Sequence, residues 1–197
     1  ARSRPNLHIE TNALAERILI EDKRAVGVAY NVNGQPREAR AGVEVLLSAG
    51  AVQSPQVLEL SGIGQPELLK SMGIEVQHGL KGVGENLRDH FTPRMNWRVK
   101  TKNTLNQQTR GLPLLKEIFK YYTSGRGVLT LTAGIGFGFV KTRPEVAGPD
   151  IQYHFAHASY ASPADRVLDK EPGMTMAVCQ VRPESQGSIH VKSGNPS

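Results

Sequence analysis

The stretch GAVQSPQVLELSGIG, residues 50–64, constrains the fold of this chain more than any other. It follows VEVLLSAG, which is apolar at nearly every position and so predicts a strand inside a sheet covered on both faces. That strand closes on Ser48, Ala49 and Gly50. A short helix is predicted next, with Ser54-Pro55 as its start signal and Ser61-Gly62-Ile63-Gly64 as its stop. A strand, a turn of very small residues and a helix N-terminus admit two readings. One is close packing of strand on helix. The other is a ligand brought against the main chain, where unpaired N–H groups and the helix dipole favour an anion. Periodicity leaves both open. The segments GIGQPE, GVGENL and GIGFGF do not decide between them, since each lacks the last glycine or the preceding buried strand of a dinucleotide fingerprint.

On either side the pattern changes character once. Residues 6–48 predict β-structure, with NLHIET, ERILIED and AVGVAYNV as strands and Asn33-Gly34 as a two-residue hairpin turn into QPREARAG. A second helix is predicted over PELLKSMG, with Pro66 at its first position and Gly73 as its cap, then a short strand at IEVQHGL. The Gly-rich loop KGVGENLRDHF ends a first domain, residues 1–91. Residues 92–197 form the second, with strands at RMNWRVKT, GFGFVKT, DIQYHFAHA, MTMAVCQV and GSIHVKS and a helix over LPLLKEIFKYYTSG. The expected fold class is α+β, a mixed helix–sheet chain in which a β-meander and a strand–helix unit join an antiparallel sheet with helices on one face.

Composition excludes several classes. The net charge of +6 is scattered, with no basic run and no interleaved aromatics, which argues against nucleic acid. The lone Cys179 excludes an internal disulfide and, with no metal-ligand spacing elsewhere, a metal site; MAVCQV makes it a buried core thiol. No apolar run is long enough to span a bilayer, so no stable membrane insertion is expected. The chain starts without Met and without a signal-peptide core, which suggests a fragment of a longer protein.

Residues 50–64 resemble the second signature of the glucose–methanol–choline (GMC) flavoproteins at Gly50, Ser54, Pro55, Val57, Leu58, Ser61, Gly62, Ile63 and Gly64. RPNLHIETNALAERIL, RAVGVAY, VLLSAGA, GVGENLRDHF, PDIQYHF and RPESQGSIHVKS are similar to the same family, nearest its bacterial choline and alcohol dehydrogenase branch. The resemblance implies an FAD-binding first domain, incomplete here, and a substrate-binding second domain, incomplete at its C-terminus. It places Ser48, Ala49 and Gly50 beside the adenosine and pyrophosphate of FAD, and Ala15 at a main-chain contact to the adenine. Asn86, Asp89 and His90 match a loop near the domain junction.

The same resemblance puts three parts of the family outside this chain: the Rossmann fingerprint, the first signature and the segment with the catalytic His and its His or Asn partner. No catalytic residue and no metal ligand is therefore expected within it. His154 and His157 lie three positions apart on a strand, so at most one can face a substrate cavity. Ile135 stands where choline-oxidising relatives place a carboxylate, which favours an uncharged alcohol. The implied activity is oxidation of a primary alcohol to an aldehyde by hydride transfer to FAD, in the cytoplasm or at the cytoplasmic membrane surface. Two alternatives stand beside it: a non-catalytic substrate-domain module that does not retain FAD, and a basic binding protein, which the scattered charge does not support. Residues 43–64 are expected to lack their sheet neighbours and hence to face another chain, pack differently or lose order, and exposed sheet edges would allow oligomers.

Overall fold

The computed structural model describes residues 3–132, 134–162 and 164–196. The chain divides into two compact units, residues 1–88 with 185–197 and residues 89–184.

The first unit starts with an antiparallel meander of β1 (Ala13–Glu21), β2 (Arg24–Val32) and β3 (Gln35–Arg40). Both turns place their two central residues at positive φ, Asp22 and Lys23 at 47° and 63°, Asn33 and Gly34 at 51° and 81°. That geometry matches the twist of the flanking strands. Ile18 and Val32 are buried on one face of the meander and Ala29 on the other. Next come α1 (Gly50–Leu60), β4 (Ile63–Gly64), α2 (Pro66–Ser71) and β5 (His78–Gly79), with β5 parallel to β4. Leu69 of α2 is fully buried. Pro66 opens α2, where its missing N–H is no loss, and Gly73 follows it at φ 70°.

Four strand expectations fail here, two for want of any partner and two because the partner is only one or two residues long. Residues 6–11 join no sheet, and Leu7 and Ile9 are 43% and 49% exposed. The predicted buried strand at 43–50 is an extended segment outside every sheet, with Val43 and Leu46 about four-fifths exposed. A continuous apolar run signals burial without supplying the neighbouring strand, and a strand forms only as a pair. IEVQHGL contributes only its two residues of β5. GSIHVKS forms a single bridge, Gly187 to Leu87, and Ile189 N–H donates to the Gly84 carbonyl at 2.8 Å. These bonds place residues 185–197 in the first unit, whereas the sequence places them in the second domain, and the division falls after Arg88. Helix α1 also begins at Gly50, earlier than its Ser54-Pro55 signal, leaving Pro55 inside the helix.

The second unit is built on β6 (Arg94–Arg98), followed by α3 (Leu105–Gln108), α4 (Gly111–Ser124) and a 3₁₀ turn at Val128–Thr130. Then come β7 (Gly136–Val140), β8 (Ile151–Ala156), the small hairpin of β9 (Tyr160–Ser162) and β10 (Val167–Leu168), and β11 (Gly173–Gln180). β6, β11, β8 and β7 pair antiparallel in that order. β11 lies in the interior of the sheet, and Gly173, Thr175, Ala177 and Cys179 are its buried side. Cys179 is thus the buried thiol expected of it. Gly125 ends α4 at φ 63°, its N–H bonded to the Tyr121 carbonyl. Asn106, fully buried, holds the segment after β8: its amide donates to the carbonyls of Ser159 and Asp169 and accepts from Ser159 N–H.

Candidate cofactor-facing site

Ser48, Ala49 and Gly50 sit together at the N-terminus of α1, and all three are exposed, as is the first helical turn through Gln53. Ala49 caps the helix without any side-chain hydrogen bond, and the first turn carries no acidic residue. Among the described residues no protein acceptor meets the N–H groups of Gly50, Ala51 and Val52, the first turn of the helix. Gly50 has φ 87°, with no atom within 4 Å of the position a Cβ would take. The helix is 11 residues long, so its dipole is directed at this bare end. Small residues, free donors and partial positive charge are the chemistry that a pyrophosphate needs, so the residues present fit the ADP half of FAD.

Ala15 lies elsewhere, on β1, an edge strand of the meander, opposite Tyr30 and next to a register shift between Ala15 and Arg17. An edge strand keeps main-chain groups free for a partner. No hydrogen bond joins Ala15 to residues 48–50, but β1 is tied to the far end of α1, where Ile18 N–H donates to Ser61 Oγ at 2.8 Å. In the loop, Asn86 adopts φ 59°; Asp89 Oδ1 accepts His90 N–H at 2.8 Å, and His90 Nε2 lies 3.0 Å from the Val181 carbonyl. Asp89 and His90 thus order their own loop.

The C-terminal end of α1 holds a cluster that sequence reasoning missed. Glu59 is fully buried, with Oε1 2.6 Å from His190 Nδ1 and Oε2 accepting Val191 N–H at 2.8 Å. Glu85 lies 3.2 Å from His190 Nε2 and accepts Gln65 Nε2 at 2.6 Å. The hydrogen bond that the His190 imidazole donates to Glu59 raises its pKa; burial opposes this and the charges of Glu59 and Glu85 reinforce it. His157 in the second unit moves the other way, lowered by desolvation alone, and its Nδ1 is buried without a partner. His154 on β8 faces a cleft; His157 lies beyond the end of that strand, so the alternation expected of the pair does not apply, and it is not among the residues lining the cleft. No group of three metal-binding side chains occurs among the described residues.

Residues 1–92 match the sequence profile of GMC oxidoreductase. Over its whole length the chain is 39% identical to an oxygen-dependent choline dehydrogenase of Cronobacter sakazakii, covering 35% of that protein. It is 38% identical to an alcohol dehydrogenase [acceptor] of Pseudomonas putida, with 98% of this chain and 35% of that protein aligned. The crystal structure of a formate oxidase superposes on all of this chain and 39% of its own with a TM-score of 0.87, at 22% identity. The fold is therefore that of an oxidoreductase of this type. The chain belongs to the GMC oxidoreductase family. It spans about a third of the length of the curated relatives it matches, 35% in both cases above.

Proposed function

We propose that this chain is the central part of an FAD-dependent oxidoreductase acting on the CH–OH group of a small-molecule alcohol, with the unit of residues 1–88 and 185–197 serving the flavin and the unit of residues 89–184 the substrate. The observation that carries the cofactor side is the uncapped, exposed start of α1 at Ser48, Ala49 and Gly50, with no acidic residue in its first turn. Those three residues receive the pyrophosphate side of FAD, and Ala15 offers its main chain to the adenine. When bound, FAD supplies the hydride acceptor for oxidation of the alcohol carbon. This chain's own part is to bind and orient. The chain alone holds only one side of that cofactor, so it does not retain FAD tightly and does not turn over alcohol.

The test is separation by gel filtration after incubation with FAD. The 197-residue chain is expected to elute colourless. A chain extended to the length of the relatives is expected to keep stoichiometric flavin, bleached anaerobically by a primary alcohol. Stoichiometric flavin on the short chain would overturn the first statement, and a colourless extended chain the second. No helix among the described residues is long and apolar enough to cross a membrane.

A further inference from the structure

The second unit carries a cleft of about 630 Å³ over one face of its sheet. A row of directly opposed residues crosses all four strands beneath it: Arg94 on β6, Ala177 on β11, His154 on β8 and Phe137 on β7. Opposed residues share a face, so all four side chains belong to the same surface. Ala177, at the centre, is small and leaves depth. The Phe137 and His154 rings meet edge to face with centroids 5.3 Å apart, forming one aromatic side, and Tyr160 also lines the cleft. Ile135, where the sequence places the wall, is not among the lining residues; Phe137 supplies that surface.

The charge inventory is one-sided. Among the described residues the lining holds no Asp or Glu, and Arg94 is exposed and forms no ion pair with a carboxylate. Aromatic rings alone would also hold a quaternary ammonium through cation–π attraction. Here Arg94 sets a like charge in the same row, with no anion to offset it. We infer that this cleft takes an uncharged alcohol with an apolar body and rejects a quaternary ammonium, with Arg94 and Phe137 setting that preference. The inference rests on the alcohol reading above for the ligand's hydroxyl, and narrows it to one charge class. The His154 imidazole is one polar group in the floor that a hydroxyl can meet, and Thr175 and Tyr160 add hydroxyls to the same lining.

Choline and its uncharged carbon isostere, dimethylbutanol, differ in this one property. Both, with benzyl alcohol, are titrated into the 197-residue chain at low ionic strength while amide resonances of His154 and Ala177 are followed by NMR. The two neutral alcohols are expected to shift these resonances saturably, and choline to bind at least about fivefold more weakly, a gap that added salt narrows. R94E is expected to close or invert the gap while leaving the remaining spectrum unchanged, because Arg94 is exposed. Choline binding as tight as dimethylbutanol, no saturable shift from either neutral alcohol, or a gap untouched by R94E would overturn the inference. No flavin enters this titration, so its failure leaves the flavin assignment standing, and a failure to hold flavin leaves the charge preference standing.

Discussion

The two ends of α1 are built for different tasks. At its C-terminal end the polar side chains are matched: Ser61 accepts from Ile18 and Glu59 is held by His190 and Val191, while Gly62 lies close against the Glu75 carbonyl. At its N-terminal end nothing among the described residues answers the free N–H groups of the first turn, and residues 48–53 are exposed. A helix that needed only to fold would gain from a Ser, Asp or Asn cap, and Ala49 supplies none. The matched end holds the helix; the bare end is left for a group outside the protein.

The largest effect expected from breaking the matched end is at Glu59. E59A leaves a half-buried imidazole and a main-chain N–H without their acceptor, and destabilises the first unit by about 3–5 kcal/mol in denaturant unfolding. E59Q keeps an acceptor for Val191 N–H and is expected to lose visibly less. Equal stability of E59A and the parent chain would show that the cluster is incidental.

The glycines sharpen the same contrast at a smaller scale. A Cβ on Gly62 would lie 2.3 Å from the Glu75 carbonyl oxygen, at φ 80°. At Gly50 φ is 87° with open space around it. Both Gly→Ala changes carry the left-handed strain of about 1–2 kcal/mol, but only G62A adds a backbone clash. G62A is therefore expected to cost about 1 kcal/mol or more beyond G50A by thermal unfolding. If G50A is the more damaging in the isolated chain, the N-terminal end is not the open surface described.

What could be read from the sequence follows how local the cause is. Asn33-Gly34 announces its turn because both residues accept positive φ unaided; Asp22-Lys23 makes the same turn and does not announce it, since Lys has no such preference. Pro66 and Gly125 mark helix ends by chemistry confined to one residue. The apolar run at 43–48 signals burial but not by what, and the structure pairs it with nothing. Of the proposed site, residues 48–50 are legible as small residues before a helix. Ala15 has no local signal at all and enters through resemblance alone. Glu59 reads as one charge in an apolar helix, because its partner His190 lies 131 residues away.

The two shifted histidines extend the comparison to pH. The folded pKa of His190 is raised, so its contribution to the first unit is fully present below the unfolded value of about 6.5 and is lost as pH rises through the raised value. The folded pKa of His157 is lowered, so the second unit keeps that contribution above about 6.5 and loses it as pH falls through the lowered value. Acidification from mildly alkaline to mildly acid pH is thus expected to protect amides around Val191 and expose those around His157 in hydrogen exchange. H190N should remove the first trend and leave the second. Parallel trends in both units would contradict the assignment.

The smallest effect on stability is expected at Ala49, and it separates function from folding. A49D adds a side-chain acceptor and a negative charge at the positive end of the helix dipole, so the stability of the chain should stay the same or rise by less than about 1 kcal/mol. The same charge occupies the donors proposed for a pyrophosphate and repels it. ADP is therefore expected to shift the Ala49 and Gly50 amide resonances of the parent chain at millimolar concentration and to shift none in A49D. A gain in helix stability together with a loss of the anion identifies a surface kept bare for a ligand. If A49D binds ADP as the parent does, the N-terminus of α1 is only the end of a helix, and the cofactor contact lies elsewhere in the chain.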